Sequence, residues 1–122
     1  LTAFSGSDNY SEVGWWRDNS AVGGDAALHE VAKLKANQLG IYDMSGNVGE
    51  WCYDYGVPYS YEYPLEPETD PIGPAENLND TKIYRGGYYS TYDTKGKVYY
   101  TDKMDPTTTD STIGFRVVRT IK

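Results

Sequence analysis

The chain has 122 residues, with 18 acidic against 11 basic side chains, one His, one Cys and a formal net charge of −7. This length holds one domain at most, and the lone thiol excludes both an intrachain disulfide framework and a clustered-thiolate zinc site. The acidic balance argues against a nucleic-acid backbone as the main partner, and any bound metal is expected to be a hard cation held by oxygens.

The charge is unevenly placed. Residues 51–80 carry seven acidic and no basic side chains, whereas residues 81–122 carry eight basic against four acidic. The late basic residues are too dispersed for a nucleic-acid footprint, so they read as a solvated face or as partners of the acidic middle. No stretch approaches the 18 apolar residues of a membrane span. The opening residues from Leu1 show neither a basic nor an apolar leader region.

Thirteen Tyr and thirteen Gly predict a loop-rich fold that uses large amphipathic rings in core and surface. In chain order, the spacing of Leu28, Val31, Ala32 and Lys35 after a capping Asp25 predicts a helix over 25–35. Short strands are predicted over 40–44, 50–55, 83–85, 97–100 and 114–120, the last because FRVVRT alternates and is β-branched. Between residues 55 and 80, Pro58, Pro64, Pro67, Pro71 and Pro74 predict a pinned surface loop, longer than an ordinary connection and therefore a candidate for function.

Nucleotide, metalloprotease, serine-hydrolase and EF-hand signatures are all missing from the sequence. His29 and Cys52 read as structural groups rather than as a base and a nucleophile. Two glycine-marked segments remain. In YDMSGNVGEWCYD (42–54), Gly46 and Asn47 suit unusual backbone angles while Asp43 and Glu50 offer carboxylates to a cation; the alternative is a tight turn with Trp51 in the core. In YRGGYY (84–89), paired glycines allow close backbone approach, and Arg85 is expected to fork onto Glu50 or Asp54.

Taken in order, SGSDN (5–9), WWRDNS (15–20), ANQLGIYDMSGNVGEW (36–51), RGG (85–87) and IGFRVVR (113–119) closely resemble the formylglycine-generating enzyme, or sulfatase-modifying factor, family. The resemblance implies an α+β, C-type-lectin-like fold, loop-rich with short twisted antiparallel strands. Residues 1–122 would form a single partial domain of this kind, its N-terminal portion absent. Trp51, Arg85, Gly86, Gly87, Phe115 and Arg116 take structural roles by the same resemblance. It further implies a calcium site built from the Asp43 side chain, the Gly46 and Val48 carbonyls and the Glu50 carboxylate. Gly49 replaces a usual Trp there, and Tyr88-Tyr89 replace a usual Ser-Trp.

Oxidase members of the family convert a sulfatase cysteine to formylglycine with copper and oxygen, through two cysteines shortly after the RGG-like motif. Thr91 and Gly96 stand at those positions, so no copper and no catalytic residue are expected. Other bacterial members display a binding surface between the RGG-like and GFR motifs. The expectation here is a non-catalytic domain that binds a protein or glycan through Tyr88, Tyr89, Tyr92, Tyr99 and Tyr100, suited to an extracellular or periplasmic setting. The alternative is a formylglycine-generating oxidase-like enzyme, or an accessory domain of a metal-dependent oxidase.

Overall fold

The computed structural model describes residues 1–21, 23–57, 73–74, 77 and 79–119. Its elements are α1 (Tyr10–Val13), β1 (Gly49–Tyr55), β2 (Lys82–Arg85), α2 (Asp93–Gly96), β3 (Asp102–Met104) and β4 (Ile113–Gly114). They form one four-stranded sheet in the order β3-β2-β1-β4. The β1/β2 and β2/β3 pairs are antiparallel, as expected, but β4 lies parallel to β1, with Gly49 opposite Ile113. The sheet is therefore mixed, within an α+β fold that is mostly loop. No helix among the described residues is long and apolar enough to cross a membrane.

The expected strands at 50–55 and 83–85 form, because Trp51 packs edge-on against Tyr84 across the β1/β2 pair and leaves the Tyr84 ring buried. A second core lies outside the sheet. There the Asn9 side chain accepts the Ser11 N–H to start α1, and Gly14 ends it. This short turn seats Tyr10 between Phe4, 4.3 Å away, and Trp16, 5.2 Å away, with Val13 beside them.

Three predicted elements give way to tertiary hydrogen bonds. Residues 25–35 are not helical, and Leu28 and Val31 of the expected apolar stripe are exposed. The Asn47 side chain instead takes the His29 N–H and donates to the His29 carbonyl, both at 3.0 Å. Asp43 Oδ2 takes the Ala32 N–H at 2.7 Å, with Ala32 at φ 60°, a value that breaks a right-handed helix. Residues 40–44 form no strand, since Asn37 Oδ1 accepts from both Leu39 and Ile41 and curls the chain into a turn. Over 97–100, the Val98 amide bonds to Ala3 and the Tyr100 amide to Lys97, so β2 pairs instead with Asp102–Met104.

The predicted strand over 114–120 pairs only at its start. Phe115, Val117 and Val118 are 79%, 83% and 90% exposed, because among the described residues no strand lies beyond β4 to pair with them; Thr120 lies outside the described residues. So does most of the Pro-rich loop, 58–72.

What joins the sheet to the α1 core is the turn at Ser45, Gly46 and Asn47, with Gly46 at φ 81° and Asn47 at φ 63°. The buried Ser45 hydroxyl accepts the Ser5 N–H and donates to the Gly96 carbonyl. The Gly46 N–H bonds to the Gly86 carbonyl at 2.7 Å, and a Cβ at Gly46 would strike the Trp15 backbone. The Asn47 N–H bonds to Trp15, and its carbonyl accepts from Tyr89. Asn47→Ala removes two buried side-chain hydrogen bonds and places Ala in the left-handed region. A loss of about 2–4 kcal/mol in urea unfolding is expected, against less than about 0.5 kcal/mol for the exposed control Leu39→Ala.

Candidate functional site

The loops after β2 converge on the same turn. Gly86 and Gly87 sit at φ 96° and 69°, which lets β2 bend sharply into the 88–100 segment while the Gly87 backbone presses on that of Lys95 and Gly96. Tyr89 is held on both sides: its N–H bonds to Asn47, and its carbonyl accepts the Ser20 hydroxyl at 2.6 Å. Beyond it Thr91 is buried, its hydroxyl donating to the Tyr88 carbonyl at 2.8 Å.

Tyr10 closes this region from the core side. Its hydroxyl lies beside Thr91 and donates to the Gly86 carbonyl at 3.4 Å, and its ring lies where a Cβ on Gly96 would have to go. Burial pushes the Tyr10 phenol far above its ordinary range, the neighbouring Thr91 hydroxyl pulling the other way. The two positions at which the resemblance places oxidase cysteines are thus joined by one neutral, buried phenol. Position 96 has no room for a side chain.

Of the five tyrosines expected to bind a ligand, Tyr92 and Tyr99 are 66% and 68% exposed. Tyr88, Tyr89 and Tyr100 are half-buried. The Arg17 guanidinium stacks 4.4 Å from the Tyr92 ring centre, and Tyr88 meets Tyr89 edge-on, so these rings are oriented rather than loose.

A shallow groove of about 150 Å³, open to solvent, runs beside them and is lined by Tyr84, Arg85, Gly87, Lys95, Tyr100 and Asp102. Lys95 Nζ donates to Asp102 Oδ2 at 2.6 Å. Burial alone would raise the Asp102 carboxyl, but hydrogen bonds from Lys95, the Lys103 amide and Tyr84 outweigh it and hold it below its ordinary value. Burial, then the Asp102 charge, pushes the Tyr84 phenol up.

The carboxylate expected to meet Arg85 is taken by another cation. Arg116 grips Glu50 through Nε at 2.8 Å and Nη2 at 2.5 Å, and Nη2 also reaches the Tyr42 and Asp43 carbonyls. Arg85 lies one residue past Tyr84 at the end of β2 and donates to the Val98 carbonyl instead. Asp43, Gly46, Val48 and Glu50 therefore do not fit a calcium ion as arranged: a guanidinium faces Glu50, and the Asp43 carboxylate caps Ala32. Among the described residues, no three His, Cys, Asp or Glu side chains converge on a metal position.

Of the residues expected to be structural, Trp51 packs on Tyr84, Arg85 donates to Val98, Gly86 and Gly87 take positive φ, Arg116 grips Glu50 and Phe115 is exposed. Cys52 is half-buried, and burial raises its thiol, with the Arg85 charge opposing; that is the reverse of an activated nucleophile. His29 stacks on Trp15 at 3.8 Å and meets the Ser20 carbonyl through Nε2.

The profile of the family described as "Sulfatase-modifying factor enzyme 1-like domain" matches residues 2–121. The chain belongs to this family. It is 33% identical to the chaperone protein LppX of Paenibacillus barcinonensis over 95% of this chain and 41% of that protein. It is 35% identical to the serine/threonine-protein kinase Pkn1 of Chlamydia trachomatis over 92% of this chain and 21% of that protein. Identity to the formylglycine-generating enzyme of Streptomyces coelicolor is 32%, over 80% of this chain and 31% of that one. Among solved structures, Treponema denticola variable protein 1 superposes with a TM-score of 0.76 at 28% identity, over 94% of this chain and 40% of that one. CarF superposes with a TM-score of 0.70 at 26% identity, over 99% of this chain and 38% of that one. The chain thus spans less than half the length of each of these relatives.

Within this sulfatase-modifying-factor fold, the sequence reading missed Tyr10, Tyr84, Lys95 and Asp102. Tyr10 carried no signal beyond its place after SGSDN. The Lys95–Asp102 pair depends on β3 docking beside β2, with Tyr84 opposite Asp102. The Arg116–Glu50 clamp yields a direct expectation. Melting in saturating calcium should match melting in excess chelator, whereas Arg116→Ala leaves the half-buried Glu50 without its cation and should cost about 2 kcal/mol in either buffer. A calcium-dependent rise in melting temperature would contradict this.

Proposed function

We propose that this domain is a non-catalytic binding module that recognises a protein or glycan through the loops carrying Tyr88, Tyr89, Tyr92, Tyr99 and Tyr100. The observation that carries this reading is the packing of Tyr10 between Thr91 and Gly96. Copper oxidation of a cysteine needs thiolate ligands, and here a hydroxyl bonded to the neighbouring carbonyl and a glycine against an aromatic ring stand at those two positions. Tyr92, stacked on Arg17, and Tyr99 present large rings to solvent among small polar residues, a composition that gives contact area at low entropic cost. The depression beside them is too shallow to enclose a small molecule, which favours a macromolecular surface as the ligand.

The relatives support a modular reading. The same domain occurs in proteins named a chaperone, a kinase and a formylglycine-generating enzyme, and occupies a minor share of each, as expected of a unit whose function lies in its surface rather than in one reaction. The likeness to a protein named for its variability supports a scaffold that tolerates changed loops.

The competing reading, an oxidase, draws on the Streptomyces relative's name. Both readings can be tested on one preparation. A screen against arrayed glycans and surface proteins should return a ligand whose affinity falls at least about tenfold in Tyr92→Ala and Tyr99→Ala, with no shift in melting temperature. Incubation with copper, oxygen and a CxPxR peptide should leave the peptide cysteine unchanged. Formylglycine in that peptide, or affinity indifferent to both tyrosine changes, would overturn the proposal.

A further inference from the structure

Past Gly114 the chain stops pairing with β1, yet it is not a loose arm. Arg116 pins it in place through hydrogen bonds to the Glu50 carboxylate and to the Tyr42 and Asp43 carbonyls. Phe115, Val117 and Val118 flank that clamp, and all three are exposed. A fixed segment that leaves three large apolar side chains in water forgoes the free energy of their burial, and such patches mark surfaces that another element covers.

The patch continues into the neighbouring loop. Exposed Tyr42 offers its carbonyl to Arg116, exposed Ile41 is held by Asn37, and Asp43 holds the Ala32 amide next to exposed Val31. Hydrogen bonds therefore gather these apolar side chains and the 115–118 segment at one end of the molecule. Along a strand, successive side chains take opposite faces, so Val117 and Val118 cannot be covered from one side. A strand bare on both faces and along one edge has the character of an interior strand of a wider sheet.

We propose that residues 115–118 form such an interior strand, and that polypeptide joined ahead of Leu1 supplies both its next strand and the apolar cover of this end. Three observations favour that occupant. The start of the chain already lies here: the Asn37 side chain donates to the Ser5 hydroxyl at 3.1 Å, and the Gly6 backbone packs on Asn37. The two superposed structures match 94% and 99% of this chain, while more than half of each lies outside the match, enough chain for several further elements. A second copy pairing along the same edge would supply backbone partners but bring the same bare faces with it, leaving Val117 or Val118 in water. A single extended peptide has the same shortfall.

Amide hydrogen exchange tests this on two polypeptides: the 122-residue chain, and the product of the same reading frame started upstream of Leu1. In the 122-residue chain the Val117 and Val118 amides should exchange as open chain, and the dye 8-anilinonaphthalene-1-sulfonate should bind. In the longer product these amides should slow by at least about 100-fold and the dye signal should fall, both independent of protein concentration. Val118→Asp should lower the melting temperature of the longer product by about 4 °C or more and leave that of the 122-residue chain unchanged. A reading frame that opens directly at Leu1, equal exchange in both polypeptides, or protection already present in the shorter one would each overturn the proposal. So would protection that rises with concentration, the signature of a second copy. None of these outcomes touches the tyrosine surface, which is tested separately.

Discussion

The loops of this domain hang on one left-handed turn. Ser45, Gly46 and Asn47 together bond to residues 5, 15, 29, 86, 89 and 96, so a three-residue stretch replaces the contacts that a longer sheet or a helix pair would otherwise provide. The buried Ser45 hydroxyl, the Gly46 and Asn47 N–H groups and the Asn47 side-chain amide are all partnered, the condition under which such networks specify one structure rather than destabilise it. Backbone geometry makes this possible. Gly46 must lie against the Trp15 backbone with no side chain between, and Asn47 tolerates a positive φ because its amide is fully used by His29.

From that joint the character of the surface follows. Fixing Gly86 and Tyr89 aims the segment 88–100 outward from β2, and the same bonds bring Thr91 and Gly96 back against Tyr10. An interior filled by an aromatic ring and neutral hydroxyls rigidifies the loop base. On the binding reading proposed above, what the domain offers lies on the outside: exposed rings and a cation stacked on one of them. Binding energy on such a surface comes from a few anchored aromatic and arginine side chains.

Local patterns announced the sheet's centre and the tight turn. GEWCYDY and KIYR alternate and carry β-formers, and SGN offers small and amide residues where positive φ is required. The ordered motifs identified the family over nearly the whole chain. What the sequence concealed was the destination of side chains that compete for backbone. The amphipathic stretch around Leu28 and Val31 reads as helix because its periodicity is real, yet Asn47 and Asp43, distant in sequence, take the amides a helix would use. Arg85 and Arg116 are equally plausible partners for Glu50 on paper. The parallel docking of β4, which brings Gly114 opposite Glu50 two residues before Arg116, decides between them. The filled interior behind Thr91 was invisible, since Tyr10 lies some eighty residues away in sequence.

Amide hydrogen exchange reads the central joint most directly. The N–H groups of Gly46, Asn47 and Tyr89 lie in loops but are bonded to Gly86, Trp15 and Asn47, so they should exchange as slowly as the Trp51 and Tyr84 amides of the paired strands β1 and β2, opening only with global unfolding. Exchange of these three at the rate of exposed loop amides, while the strands stay protected, would contradict a fold organised around the 45–47 turn.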